Sequence, residues 1–292
     1  MTLRPKTWLI WLVAAMTYCI LTYNPLYQIL LLSTLISIAI RFRRPLKTYI
    51  TVAAVMSLIP LLVNTFLVHS GKTVVYEIPT QTTLFSFKIP VLLVGGPLTL
   101  ESMLMGLITS IFLLNMLTAF HTFNSMISPD DLTSIIPSRL PNLSMTASIT
   151  LRFIPTLLDD YKSIKDAQIS RGVRIDSGSQ FERIRNQLSI IVPTIVTSLE
   201  RGFSLAESMA SRGYSRTRTR FSIENTTASD RILHLTYLIG IAITLFGSYS
   251  GVLTYWPYDS LTLPQISLTA LIPLILIALP GLIKNEPNNK AF

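Results

Sequence analysis

Two copies of one tripeptide carry the most specific chemistry of the sequence. Each is Ser-Arg-Gly, and each follows an apolar segment with helical spacing and an internal proline. An acid stands five residues before each arginine, and the prolines stand sixteen and nineteen residues before them. The residues are Pro155, Asp166, Ser170, Arg171 and Gly172 in the first copy, and Pro193, Glu207, Ser211, Arg212 and Gly213 in the second.

The arginine and glycine of each copy are compatible with two interpretations. An arginine near the end of a helix complements the negative helix terminus, and a following glycine accepts the left-handed conformation that often terminates a helix. Under this interpretation the tripeptides are ordinary helix ends. Under the other, each helix projects a guanidinium whose planar fork of donors can bind carboxylates of another protein. Two such ends on one face would form a two-point contact with a pair of related subunits.

The rest of the sequence, which must position these tripeptides, has the composition of a membrane protein. Hydrophobic residues make up 50% of the 292-residue chain and charged residues only 13%, whereas about a quarter of a soluble domain is charged. A membrane-spanning helix needs about 20 apolar residues. Six segments approach this length, at 8–23, 26–40, 48–68, 101–120, 232–250 and 264–283.

The first two spans leave two arrangements open. Only Asn24-Pro25 separates them, so they form either a tight hairpin or one long kinked element. Aromatic residues in the first span indicate interface anchors of a retained helix rather than a signal peptide. These residues are Trp8, Trp11, Tyr18 and Tyr23.

Basic residues at the ends of the spans predict the orientation in the membrane. Four of them lie at 41–47, whereas the segment 69–100 holds two lysines and the segment 251–263 holds no basic residue. By the positive-inside rule the first junction is cytoplasmic and the other two are external. Six spans then place both termini in the cytoplasm, in a multi-pass protein of the plasma membrane. Apolar residues of the first external segment indicate a short extended excursion, at Val74, Tyr76, Leu84, Phe85 and Phe87.

The distribution of charge divides the chain into three predicted parts. Residues 1–120 are the N-terminal transmembrane helices, and 232–292 are the C-terminal ones with a short tail. Residues 121–231 are predicted to form a cytoplasmic coupling-helix module, because thirteen of the 24 basic residues lie between Arg139 and Arg220, mixed with acids.

The central module is predicted to be helical. Ser128-Pro129-Asp130 is typical of a helix start, with a capping serine, a proline at the first position and an acid in the first turn. Periodic apolar residues then predict a helix from 144 to about 171, kinked at its proline. Two further helices are predicted from about 180 to 200 and from about 203 to 212. The predicted fold is therefore an all-α polytopic membrane protein with about six transmembrane helices and a cytoplasmic helical coupling module.

At the two tripeptides the sequence strongly resembles the transmembrane T component of energy-coupling factor (ECF) transporters, the family that includes the cobalt and nickel uptake permeases. The similarity covers roughly 115–220, notably in the runs Leu151–Pro155, Ala167–Gly172 and Glu207–Tyr214. In that family two Ala-Arg-Gly-like motifs end the coupling helices, and their arginines dock into grooves of two cytoplasmic ATPase subunits. Here serine replaces alanine in both copies, a small-for-small change that keeps both arginines.

The resemblance implies an energy-transducing subunit without catalytic residues of its own. Its expected partners are two cytoplasmic ABC-type ATPase subunits, a membrane-embedded S component that binds a vitamin, cobalt or nickel, and the lipid bilayer. The two Ser-Arg-Gly tripeptides are the expected ATPase contacts. Asp166 and Glu207 are expected to orient the arginines or to pair with nearby bases. Pro155 and Pro193 are expected to shape stiff, kinked levers.

Other classes of function lack the residues they need. The sequence contains no P-loop, no His-Glu-x-x-His pair and no Gly-x-Ser-x-Gly elbow. No predicted span has a central charged residue of the kind that ion-coupled transporters use, and Asn64 and Asn115 are expected to form hydrogen bonds between helices. With the single cysteine Cys19, no metal or cofactor is expected. The net charge of +9 is explained by topology and anionic lipid, so no nucleic-acid partner is expected.

Two alternative functions remain open. The first is a multi-pass membrane enzyme that acts on lipid-linked substrates with a divalent metal held by cytoplasmic acids. These acids would be Asp130, Asp131, Asp159 and Asp160, which lie at a predicted helix start and on a predicted helix, where solvated carboxylates are common. The second is the permease of a conventional ABC importer, which would carry one coupling helix rather than two that end in arginine.

Overall fold

The structure is a computed structural model that describes residues 4–41, 47–78, 96–128, 131, 135, 140–173, 180–214, 228–258 and 266–282. Eight α-helices and one two-stranded antiparallel ribbon lie within these ranges, so the predicted all-α membrane fold is confirmed. The elements are α1 (Pro5–Leu21), α2 (Pro25–Arg41), α3 (Lys47–Leu67), β1 (Val74–Ile78), β2 (Gly96–Thr99), α4 (Leu100–Met126), α5 (Pro141–Ser170), α6 (Gln180–Ser211), α7 (Ala228–Tyr249) and α8 (Leu268–Leu282).

The chain forms two compact units. The terminal unit comprises Met1–Ser128 and Asn225–Phe292, and it contains α1 to α4, the ribbon, α7 and α8. The central unit comprises Pro129–Glu224 and contains α5 and α6. The three-part organisation drawn from the charge distribution stays a prediction.

In the described part of the chain, three helices are long and apolar enough to cross a membrane. Two of them are α4 and α7 of the terminal unit, over Leu100–Met126 and Asp230–Tyr249. The third is Arg183–Ser211, which is most of α6 and falls in the segment that the charge distribution predicts to be cytoplasmic. The apolar helices at α1, α2, α3 and α8 are shorter. A 17-residue helix extends about 25 Å, a little less than the ~30 Å hydrocarbon core.

The junction of α1 and α2 settles the alternatives left open at Asn24-Pro25. Helix α1 ends at Leu21 and α2 begins at Pro25, so the two are separate helices rather than one kinked element. The side-chain oxygen of Asn24 accepts a hydrogen bond of 3.0 Å from the backbone N–H of Leu26. A proline at the first helical position loses no intrahelical bond, since its N–H would have no partner there.

The core of the terminal unit is built around aromatic side chains of α1. Trp11 and Tyr18 are fully buried, so their prediction as interface anchors is wrong. The Trp11 indole donates to the backbone carbonyl of Ile277 at 2.9 Å, and the Tyr18 hydroxyl donates to that of Ala270 at 3.0 Å. Buried Trp and Tyr side chains usually find such partners, and here both partners lie on α8.

The predicted extended excursion is present as the β1–β2 ribbon, which includes Val74 and Tyr76. The other residues named for it, Leu84, Phe85 and Phe87, lie outside the described residues. Glu101 in the first turn of α4 ties the ribbon to the helix. Its carboxylate accepts hydrogen bonds from the backbone N–H of Lys72 at 3.2 Å and from the Thr73 hydroxyl at 2.7 Å.

Asn115 joins α4 to α2 through a buried polar contact. Its side-chain amide donates to the Gln28 side-chain oxygen at 2.6 Å and to the Gln28 backbone carbonyl at 2.9 Å. The expected interhelical bond of Asn115 is therefore confirmed. The same expectation for Asn64 is wrong, because its amide donates to the carbonyl of Pro60, one turn earlier in its own helix, at 3.0 Å.

The two asparagines allow a matched test of stability, because Asn115 bonds to another helix and Asn64 bonds within its own. We expect Asn115→Leu to lower the free energy of unfolding by about 0.6–2 kcal/mol, because it removes an interhelical hydrogen bond that has no water to replace it. The control is Asn64→Leu, which removes a bond within one helix and should stay close to wild type. Denaturation in mixed micelles, followed by tryptophan fluorescence, measures both. Equal losses in the two variants would contradict the interhelical role.

Candidate partner-docking site

Two long helices of the central unit carry the Ser-Arg-Gly tripeptides at their C-terminal ends. Helix α5 has 30 residues and contains Pro155, and α6 has 32 residues and contains Pro193. The prediction of separate helices at 180–200 and 203–212 is wrong, because α6 continues through Gly202. A single helical glycine costs only about 1 kcal/mol, which the flanking helix-forming residues offset. The helix start predicted at Pro129 and Asp130 lies outside the described residues.

The end of α5 is closed by a Schellman cap. The backbone N–H of Gly172 donates to the carbonyl of Ile169 at 2.9 Å, and that of Val173 donates to the carbonyl of Gln168 at 3.1 Å. Gly172 has a φ of +88°, in the left-handed region that side chains disfavour. This cap fixes the backbone from which Arg171 extends.

The end of α6 repeats the same cap. The backbone N–H of Gly213 donates to the carbonyl of Ala210 at 3.0 Å, and that of Tyr214 donates to the carbonyl of Met209 at 3.1 Å. Gly213 has a φ of +68°. The repeated tripeptide is therefore a repeated backbone structure, and both glycines adopt the left-handed cap conformation expected of them.

The side chains of both motif arginines are exposed beyond the caps. All six tripeptide residues are exposed to solvent, and no side chain in the described ranges pairs with the guanidinium of Arg171 or Arg212. Asp166 and Glu207 are also exposed, with no ion pair to either arginine among the described residues. Five residues along a helix correspond to a rotation of about 140°, which places acid and arginine on different faces. The role predicted for the acids stays a prediction.

A contact that the sequence analysis missed joins α5 to α6. Nη1 of Arg201 lies 2.8 Å from Oδ2 of Asp160, and Nη2 donates to Oδ1 at 3.2 Å. The guanidinium carbon of Arg201 also lies 5.8 Å from the centre of the Phe153 ring. The contact therefore consists of one hydrogen bond and one close ionic approach, since Nη1 and Oδ2 form no hydrogen bond. We call the Arg201–Asp160 pair with Phe153 the clasp.

The clasp joins equivalent positions of the two repeats. Asp160 stands eleven residues before Arg171, and Arg201 stands eleven residues before Arg212. At about 1.5 Å per residue, each arginine end therefore lies about 16 Å along its helix from the clasp. This contact could have been identified from the sequence, because an acid and a base stand at the same distance from two identical motifs.

Helix α6 also presents a long apolar stripe. Its large side chains recur every three or four residues, which places them on one helix face, and all are exposed by more than a third of their surface. Exposed apolar surfaces of this extent mark contacts with other proteins or with a membrane. The stripe consists of Phe181, Ile184, Leu188, Ile191, Ile195, Leu199 and Phe203.

Of the four acids of the alternative metal site, two are paired with cations and one lies outside the described residues. Asp160 belongs to the clasp, and Asp159 pairs with Lys162 of its own helix at 3.5 Å. Asp130 lies outside the described residues. Within the described ranges, no three His, Cys, Asp or Glu side chains are placed so that they could hold a metal ion.

Comparison with known proteins gives a consistent result. The profile of the CbiQ family, described as cobalt transport protein, matches residues 1–223. A relative from Staphylococcus aureus (strain 04-02981), named energy-coupling factor transporter transmembrane protein EcfT, is 36% identical over 170 residues. That alignment covers 54% of this chain and 63% of the relative, a little under two thirds of its length.

Two further relatives carry the same name. The protein of Bacillus selenitireducens is 29% identical over 225 residues, which are 72% of this chain and 78% of the relative. The protein of Listeria innocua serovar 6a is 38% identical over 103 residues, which are 35% of this chain and 37% of the relative.

The clasp can be tested by a charge-swap cycle. We expect Arg201→Asp and Asp160→Arg each to destabilise the protein, and the double variant to recover most of the loss, because the swapped pair restores the attraction. Since the Arg201 side chain is 39% exposed and that of Asp160 21%, the coupling energy should be about 0.5–1 kcal/mol. Thermal unfolding in detergent micelles measures it.

The exposed pair Lys162–Asp159 is the matched control, because its side chains are 70% and 75% exposed. The same charge swap there should show no measurable coupling. If the two cycles behave alike, the clasp does not hold α5 against α6.

Proposed function

Because the chain belongs to the CbiQ family of cobalt transport proteins, we propose that it is the energy-transducing transmembrane subunit of an ECF importer. It couples ATP hydrolysis by two cytoplasmic ATPase subunits to uptake through a separate S component that binds a vitamin, cobalt or nickel. The observation that carries the proposal is the pair of exposed arginine ends on two helices that one clasp joins. The chain itself binds partners and transmits motion, and it performs no catalysis.

The arginine ends are suited to bind acidic grooves of the ATPase subunits. A guanidinium offers five donors in a rigid planar arrangement, and a carboxylate can accept two of them at once. The cap glycines turn the chain away behind Arg171 and Arg212, which leaves both side chains accessible. Serine at the position before each arginine adds little bulk to the contact.

Because the clasp joins α5 to α6, the arginine ends of the two helices move together. Each ATPase subunit holds one arginine end, about 16 Å from the clasp along its helix. When the ATPase subunits approach or separate, they change the distance between the two ends. Because α5 and α6 are continuous helices joined at the clasp, that change also moves the parts of both helices beyond it.

The apolar stripe of α6 is the proposed contact with the membrane-embedded partner. An S component presents apolar surface, and seven exposed apolar side chains on one helix face match that chemistry. A contact without fixed polar pairs can shift without breaking hydrogen bonds, as a partner that reorients in the membrane requires. The stripe also makes α6 compatible with the boundary of the lipid bilayer, and we place the protein in the plasma membrane with both termini in the cytoplasm.

The membrane-enzyme alternative has less support from the described residues. Two of its four acids already pair with cations, Asp160 with Arg201 and Asp159 with Lys162. In the enzyme, Asp159→Asn would abolish activity. In the coupling subunit, substitution of the two motif arginines is the damaging change.

The test is co-purification from membranes, with identification of the partners by mass spectrometry. Two nucleotide-binding subunits should accompany the wild type. We expect the double variant Arg171→Ala, Arg212→Ala to reduce their recovery at least about tenfold, because each lost hydrogen bond to a charged group is worth about 1.5–3 kcal/mol.

The control is Arg152→Ala, Arg185→Ala, which removes one exposed cation from each helix away from the tripeptides. Its partners should be recovered as with the wild type. If the wild type is recovered without nucleotide-binding subunits, or if the double arginine variant retains them, the coupling proposal is wrong.

A further inference from the structure

The first two turns of α1 and α7 meet in a largely buried polar network within the terminal unit. Nε of Arg4 lies 3.2 Å from Oδ2 of Asp230, and the Thr7 hydroxyl donates to Oδ1 of Asp230 at 3.5 Å. The same hydroxyl lies 3.0 Å from Nε2 of His234. The Asp230 side chain is only 7% exposed, and Thr7 is buried. We call these four residues the brace.

The direction of the hydrogen bonds within the brace follows from the groups present. An ionised carboxylate only accepts, so the proton of the Thr7 hydroxyl points to Asp230. The hydroxyl oxygen then accepts from Nε2 of His234, which therefore carries a proton. The guanidinium of Arg4 lies at the other carboxylate oxygen. Both oxygens of Asp230 thus have a partner, which is the condition under which a buried carboxylate is tolerated.

Beyond the brace, α7 joins the core of the terminal unit through apolar surface. Leu233 and Tyr237 belong to the buried cluster that also contains Trp11 and Ala14 of α1. The Tyr237 hydroxyl is buried without a hydrogen-bond partner, so it adds no directed contact. Apolar contacts depend on area and tolerate small shifts, whereas hydrogen bonds and ion pairs join particular atoms. Among the described residues, the brace is therefore the contact that fixes the position of α7 on α1.

The brace lies close in sequence to the end of the central unit. That unit ends at Glu224, α7 begins at Ala228, and Asp230 is in the first turn of α7. Six residues of chain extend at most about 20 Å, so a larger displacement of the end of the central unit pulls on this turn. A first turn that is held to another helix passes the pull on, whereas an unheld first turn opens locally.

The partners of Asp230 distinguish it from an ordinary acid at a helix start. An acid in the first turn stabilises a helix by complementing its positive end, and this role needs no partner on another helix. Glu101 is the comparison, because it is also a buried first-turn acid of the terminal unit, but its partners are residues next to β1 in the ribbon segment before its own helix. The Asp230 carboxylate instead contacts Thr7, 223 residues away, and Arg4.

We propose that the brace passes the motion of the central unit into the terminal unit, with Asp230 as a positioning residue of the transport cycle. During ATP hydrolysis the central unit is displaced and pulls on the first turn of α7. Because the brace holds that turn to α1, the two helices move as a pair. Without the brace, the first turn of α7 separates from α1 and the motion is lost there. This inference rests on the proposed function.

Thiol labelling of the buried face of α7 tests the brace in the complete complex. Leu233, which is 7% exposed, is replaced by cysteine in a chain that carries Cys19→Ala, and inverted membrane vesicles are treated with a maleimide with and without ATP. We expect Leu233→Cys to stay protected in both conditions. Adding Asp230→Asn should raise its labelling about tenfold during ATP hydrolysis, the effect of losing one hydrogen bond to a charged group, and much less without ATP.

The dependence on ATP separates the proposed role from a merely structural one. An equal rise in labelling with and without ATP would mean that Asp230 only stabilises the fold, and no rise would mean that the brace bears no load. Either result overturns the proposal. Arg4→Gln removes the partner on the other helix and should reproduce the ATP-dependent rise, and its failure to do so would also contradict the proposal. Glu101→Gln is the matched control, because it neutralises a buried first-turn acid outside the brace, and it should leave Leu233→Cys protected.

The two proposals fail in distinguishable ways. Asp230→Asn should leave the recovery of the ATPase subunits equal to that of the wild type, because it changes no tripeptide residue; their loss would indicate a role in assembly and overturn the brace proposal alone. If the wild type is recovered with ATPase subunits but labelling of Leu233→Cys, Asp230→Asn ignores ATP, the brace proposal is wrong and the coupling function stands. If the wild type is recovered without ATPase subunits, the coupling function fails and the brace proposal fails with it.

Discussion

The ion pair between Arg201 and Asp160 is the shortest side-chain contact that the described residues form between the two helices of the central unit, beside a bond of 3.5 Å from the Gln168 amide to the Ser189 carbonyl. The pair joins two helices that are otherwise rich in exposed apolar side chains, through one hydrogen bond of 3.2 Å and one ionic contact of 2.8 Å. Asp160 and Arg201 each stand eleven residues before the motif arginine of their own helix. Because the helices are joined at that point, the distance between Arg171 and Arg212 depends on how the two helices pack and not on either helix alone.

The two repeats share a backbone and differ in surface. Both helices contain a proline, both end in a Schellman cap with a left-handed glycine, and both leave an arginine exposed. The residues around the caps are cationic at one end and apolar at the other. The repeated sequence therefore produces a repeated backbone, whereas the side chains around the two caps differ.

The terminal unit shows how a membrane protein holds helices together where apolar burial gives little advantage over lipid. Polar side chains supply directed contacts: Trp11 and Tyr18 donate to carbonyls of α8, and Asn115 donates to Gln28 of α2. The sequence indicated the Asn115 bond, because a polar residue inside an apolar span needs a partner. It misassigned Trp11 and Tyr18, since an aromatic residue suits a buried contact with a carbonyl as well as a membrane interface.

Most of the helices, the break before Pro25, the repeated tripeptides and their caps were predictable from local sequence, because each depends on residues within a few positions of one another. The sequence also carried the family resemblance. The pairing of Arg201 with Asp160 and the continuation of α6 through Gly202 became evident in the folded chain alone. The physical reason is that periodicity reports which face of a helix is apolar, whereas the partner of a charged or buried side chain depends on packing between segments far apart in the chain.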